Sequence, residues 1–228
     1  MSPSKLRSTL AAVLFLGTAS GAWANVTLTG NLTADNYFFA FLSTNANTLG
    51  TQIGSGNNWA STYSLTPTVL NAGTTYYLNI EAINGDGGAW TAGGLIGSFS
   101  LTAGGLFANG SQTVNTGGTG WTGGYNNSNN SATAQAWVQP TGGVASEGLN
   151  GIGPWGTRGG ISSSASWVWA TDSQSSNGNA APGNQCAGCT VDFQIAITTA
   201  AIPEPASMGL LMLGAVGVGA VRRRRRPH

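Results

Sequence analysis

From residue 25 to residue 200 the chain alternates apolar and polar positions with a period of two. Val26, Leu28 and Leu32 alternate with Thr27, Thr29, Asn31 and Thr33. Tyr76, Leu78, Ile80 and Ala82 share one face against Tyr77, Asn79 and Glu81. Leu95, Gly97, Phe99 and Leu101 form a third such row, and Val191, Phe193, Ile195 and Ile197 a fourth, against Asp192, Gln194 and Thr198. Alternate residues of a strand point to opposite faces, so each row predicts a strand with one buried side. Shorter strands are predicted at Tyr37–Leu42, Tyr63–Leu70, Ala132–Val138 and Ser164–Ala170. Turn-rich stretches separate them: Asn84 to Gly88, Thr116 to Gly124 and Gly178 to Gly188. No part of this body carries a 3.6-residue apolar period. The predicted fold is all-β: a single antiparallel β-sandwich of jelly-roll type. A β-solenoid requires a fixed repeat, and none is visible.

Two apolar runs lie outside this pattern. Leu10–Leu16 follows Lys5 and Arg7 and is followed by small residues ending Ala22-Trp23-Ala24. This is the layout of a secretory signal peptide cleaved after Ala22-x-Ala24, a task for signal peptidase, leaving Asn25 first. The second run, Ala206–Val221, carries no charge over 16 residues. As a helix it reaches roughly 24 Å against a hydrocarbon core of about 30 Å, a span that snorkelling arginines complete. Arg222, Arg223, Arg224, Arg225 and Arg226 follow it as a cytoplasmic stop, which predicts one C-terminal transmembrane helix with the body outside. Pro203-Glu204-Pro205 precedes it, and two prolines hold that segment extended. Three regions result: 1–24, 25–200 and 201–228.

With both ends set apart, the body keeps six acids (Asp35, Glu81, Asp86, Glu147, Asp172 and Asp192) and one base, Arg158. The formal charge is therefore −5, without lysine or histidine. Such a surface offers nucleic acid little to grip. The only histidine, His228, is the last residue, so a Ser-His-Asp arrangement is unavailable. The body reads as non-catalytic. The alternative is a secreted carbohydrate-active hydrolase drawing a carboxylate pair from the six acids. In an exported chain Cys186 and Cys189 read as a local disulfide. A redox motif needs a neighbouring βαβ pattern, and zinc needs two further ligands, neither of which the body supplies. Calcium is the one cofactor with candidate ligands, Asp35 and Asn36 after a strand and Asp86 in a tight turn, although the same residues are ordinary turn-formers. Trp59, Trp90, Trp121 and Trp155 fall in Gly-rich segments and are candidate glycan-stacking residues, whereas Trp137, Trp167 and Trp169 fall on strands and read as core.

Pro203-Glu204-Pro205, the apolar run and the arginine cluster together resemble the PEP-CTERM sorting signal of Gram-negative bacteria over Ile202–His228. The resemblance implies processing by exosortase near Pro203-Glu204-Pro205 in a host that makes extracellular polysaccharide. It also implies an inner-membrane-anchored precursor that ends at the cell surface or in the extracellular matrix. Ala34-Asp35-Asn36-Tyr37, Leu78 to Asn84, Gly93 to Gly97, Gly153-Pro154-Trp155-Gly156 and Ser166-Trp167-Val168-Trp169 resemble the galactose-binding-like jelly-roll domains of bacterial surface proteins. That second resemblance implies exopolysaccharide or other glycan binding by the body.

Overall fold

The computed structural model describes residues 25–85, 90–127, 132–172, 174 and 183–201. These residues form strands β1 (Val26–Asp35), β2 (Tyr37–Ser43), β3 (Thr51–Gly56), β4 (Tyr63–Ser64), β5 (Thr68–Leu70), β6 (Thr75–Ile83), β7 (Trp90–Thr91) and β8 (Gly94–Leu101). They continue with β9 (Gly105–Phe107), β10 (Thr113–Asn115), β11 (Thr122–Asn127), β12 (Val144–Leu149), β13 (Ser166–Ala170), β14 (Gln185–Cys186) and β15 (Thr190–Thr199). One sheet runs β12-β13-β8-β1-β4, with β10 also on β8 and β5 also on β1. The other runs β11-β15-β6-β2-β3, with β9 also on β15. A separate ribbon pairs β14 with β7. Every pairing is antiparallel. Among the described residues no helix is long and apolar enough to cross a membrane. The predicted signal peptide and C-terminal span lie outside them.

The four period-two rows become β1, β6, β8 and β15, and their apolar faces meet between the sheets. Leu28, Leu32, Phe99 and Val168 from the first sheet and Phe38, Leu78, Ile80 and Phe193 from the second belong to one buried cluster. Trp169 crosses the gap, its ring 6.0 Å from that of Phe193. Burying such faces against each other is what holds a sandwich together. A second, smaller core lies on the outer side of β8, where Ile96 packs with Trp155, Ile161, Ala165 and Trp167. The segment between β12 and β13 carries three of those side chains over the sheet.

Two predicted strands change form. Tyr63–Leu70 is two short strands, β4 and β5, both on β1. Pro67 sits between them and has no N–H to give a ladder. Ala132–Val138 is not a strand. It runs extended over the outer face of the second sheet, and its amides bond side chains instead of a neighbouring strand: Gln135 N–H to Glu81 and Val138 N–H to Asp192. Trp137 is consequently half-buried rather than core, with its indole N–H on Ala46 O at 3.0 Å.

Phe193→Ala is expected to destabilise the body by about 3–5 kcal/mol in equilibrium urea unfolding, from lost burial plus a cavity between the sheets. Val69→Ala, at a 57% exposed position, is expected to cost about 0.5 kcal/mol or less.

Candidate functional site

The two longest strands of the second sheet, β6 and β15, face each other in a nine-pair register that sets Glu81 opposite Asp192 and Asn79 opposite Gln194. Leu78, Ile80, Phe193 and Ile195 point inward, so these four polar residues point out, yet all four are buried. Two loops cover them. Asn79 Nδ2 donates to Thr48 O at 2.9 Å and Leu49 O at 3.1 Å, and Gln194 Nε2 donates to Ala46 O and Asn79 Oδ1, both at 2.9 Å. On the acidic pair, the Gln135 amide bridges both Glu81 oxygens at 3.1–3.2 Å. Asp192 Oδ2 accepts from the Val138 amide at 3.0 Å and from Asn126 Nδ2 at 2.8 Å. Loop 44–50 and strap 132–141 are thus fastened to the sheet by side chains.

The second acidic pair lies at one end of the first sheet. Asp35, at the end of β1, accepts the Trp155 indole N–H at 2.8 Å. Trp155 stacks on Trp167 with ring centroids 4.4 Å apart. Glu147, on β12, accepts from Gln185 Nε2, and Gln185 Oε1 accepts the amides of Gly93 and Gly183. Cys186 and Cys189 are bonded, with Cα atoms 5.8 Å apart. Asn84 ties this end together, donating to Cys186 O at 3.0 Å and Thr91 Oγ1 at 2.9 Å. Arg158 meets no carboxylate in these bonds: it donates to Trp59 O and Trp155 O and lies 5.3 Å above the Trp59 ring.

Burial is the largest influence on three of the acids. It pushes Glu81 up to about 7, against the opposing effect of the Gln135 amide. It pushes Asp192 up to about 8, aided by Glu81 and opposed by the Val138 and Asn126 donors. It pushes Glu147 up to about 9, with the charge of Asp35 adding to the rise. Carboxyl groups sealed under a strap or behind a tryptophan stack serve as acceptors that fix the chain. A glycoside-cleaving pair must instead flank an open sugar site.

The predicted site residues are dispersed. Trp155 (1% exposed) and Trp121 (9% exposed) are core, not glycan-stacking surface. Trp155 is held by Asp35 and Trp167, and Trp121 packs on Phe99 at 5.6 Å with its N–H on Asn115 O. Around Trp121 the flanking Gly120 and Gly123 are closely packed, a Cβ there lying 3.1 Å from Ala108 and 2.9 Å from Val144, whereas room for the Trp155 ring comes from Gly94 of β8, where a Cβ would lie 3.1 Å from it. Trp59 is half-buried with Arg158 on its ring, and Trp90 is 39% exposed on the ribbon. Of the candidate calcium ligands, Asp35 Oδ2 is taken by Trp155 and Asn36 Oδ1 by the Gly85 amide at 2.6 Å. Asp86 lies outside the described residues. No group of three or more His, Cys, Asp or Glu able to hold a metal occurs among the described residues. Ala22, Ala24, Pro203, Glu204, Pro205 and the five arginines from Arg222 to Arg226 also lie outside them.

The quartet Asn79, Glu81, Asp192 and Gln194 is not legible as a site from sequence. Its members occupy regular outward positions, which ordinarily face water. Only their strand register and the two covering loops reveal their role.

Each raised acid binds its proton more tightly in the folded chain than in the unfolded one. Their contribution to stability is therefore complete below the ordinary carboxylate range and is lost as pH rises through about 7 to 9. Melting temperature is expected to fall from pH 5 to pH 9.5. Glu147→Gln, which keeps the shape without a charge, should flatten that slope in differential scanning calorimetry. A melting temperature that rises over this range would contradict the assignment.

No curated protein and no solved structure matches the chain. The family model described as the PEP-CTERM protein-sorting motif matches residues 201–226. Those residues hold the proline pair, the apolar run and the arginine cluster, and they mark the chain as an exported, membrane-processed protein sorted by exosortase through a PEP-CTERM motif.

Proposed function

We propose that the protein is a non-catalytic component of the cell surface or extracellular matrix, and that its β-sandwich body binds exopolysaccharide there. The observation that carries this reading is the sorting motif at 201–226 behind an all-β body. Signal peptidase removes 1–24. The apolar run and arginine stop hold the precursor in the inner membrane, and exosortase acts near Pro203-Glu204-Pro205. Three features support a binding role for the body: its uncharged, Asn- and Thr-rich outer positions, its phrase resemblance to galactose-binding-like domains, and the use of its buried acids as structural acceptors. A lysine-free surface of net negative charge favours a neutral polymer over an anionic one.

Deleting residues 202–228 while keeping the leader tests the sorting half. The full chain is expected at the cell surface, and the truncated chain in the periplasm or medium, by fractionation and immunoblot. An unchanged distribution would overturn the reading.

A further inference from the structure

The outer face of the second sheet is covered over β6 and β15 by the strap and loop 44–50, and among the described residues it is more open toward the edge strand, where the strap reaches only Ala132. At the open part lies a groove of about 330 Å³ between β2, β3 and β4. Its floor is Tyr37 and Phe39, the outward residues of β2, and Tyr63 of β4 forms a wall. All three rings are half-buried, leaving part of each open. Of the outward aromatic residues of β2, Phe41 is buried, whereas the rings of Tyr37 and Phe39 are left partly open at this groove.

The groove is built, not incidental. Gly56 of β3 has no side chain, and a Cβ there would collide with Phe38 and lie 2.6 Å from the Tyr63 ring. Its absence lets Tyr63 seat edge-on against Phe38, with centroids 5.7 Å apart. The Tyr63 hydroxyl then donates to Asn57 Oδ1 at 3.1 Å and accepts from the Asn57 amide at 3.4 Å. With Oδ1 committed, the orientation of the Asn57 carboxamide is set. Its NH₂ group has no partner among the described residues. Ser55 adds an exposed hydroxyl, and no lining residue carries charge. Fixed aromatic faces beside a preset amide donor match a sugar ring, which offers an apolar C–H face and hydroxyl edges. An uncharged lining suits a ligand without charge.

We propose that this groove, framed by Tyr37, Phe39, Tyr63 and Asn57, is the exopolysaccharide site and takes a short stretch of a neutral polysaccharide. The proposal rests on the reading that the body binds polysaccharide and moves the contact away from the tryptophans. The test is affinity electrophoresis of the full-length protein in gels containing dextran, galactan, mannan, β-glucan or alginate.

Retardation by at least one neutral polymer is expected. Tyr37→Ala with Phe39→Ala should weaken it roughly tenfold or more, while Trp90→Ala leaves it unchanged. Asn57→Ala, at an exposed position, should weaken it several-fold, and it decides the question if the double variant loses its fold. Wild-type binding that survives these groove substitutions overturns the site while leaving a polysaccharide-binding body. Binding to alginate alone overturns the neutral-ligand assignment. Absence of binding to every polymer removes both the site and the binding reading on which it rests.

Discussion

The shortage of positive charge in the body is the constraint on which much of its architecture depends. A buried carboxyl group needs a cation, hydrogen-bond donors or a proton. The body has one arginine, and that residue is spent on two carbonyls and a tryptophan face. Glu81 and Asp192 are therefore met by strap amides and Asn126, Asp35 by the Trp155 indole, and Glu147 by the Gln185 amide. Each donor belongs to a segment outside the central ladders or at their ends. The acids thereby decide which loops lie against which sheet.

That arrangement divides the surface. Over β6 and β15 the polar quartet draws down loop 44–50 and the strap, and the sheet face is closed. Over the start of β2 and over β3, among the described residues, the strap reaches only Ala132, and Tyr37 and Phe39 are left half-buried. The other sheet is treated differently: the β12–β13 connection lays Trp155 and Ile161 over β8, adding a satellite core next to Asp35 and Glu147. Asp35, Glu81, Glu147 and Asp192 are thus enclosed, and the described lining of the groove is uncharged.

Much of the scaffold was legible because period-two rows leave little choice of face. β1, β6, β8 and β15 follow their rows, and Phe193 and Leu32 are buried where the alternation places them. Short or Gly-rich strands such as β3 (TQIGSG) and β11 (TGGYNN) were not legible. They carry few apolar residues and are held by pairing with β2 and β15. Thr122 to Gly124 reads as turn by composition and is strand by register. The tryptophans misled for a related reason. Gly-rich flanks resemble exposed loops, yet at Trp121 they allow close packing around a buried ring, and Trp155 is buried by Gly94 and Trp167, which lie far from it in sequence. Ala132–Val138 has the residues of a strand but lacks a free ladder to join, since β11 already occupies the edge beside β15.

The central claim is that buried acids on β6 and β15, rather than strand pairing, hold the strap in place. Residue-resolved amide hydrogen exchange at Gln135 and Val138 tests it most directly. Both amides lie outside any ladder and accordingly should exchange freely unless Glu81 and Asp192 hold them. The account predicts strong protection at Gln135 and Val138, approaching that of β6, with Asp192→Ala, which removes the acceptor, releasing Val138 more than the amides of β6. Exchange of both amides at open-loop rates in the wild-type protein would contradict it.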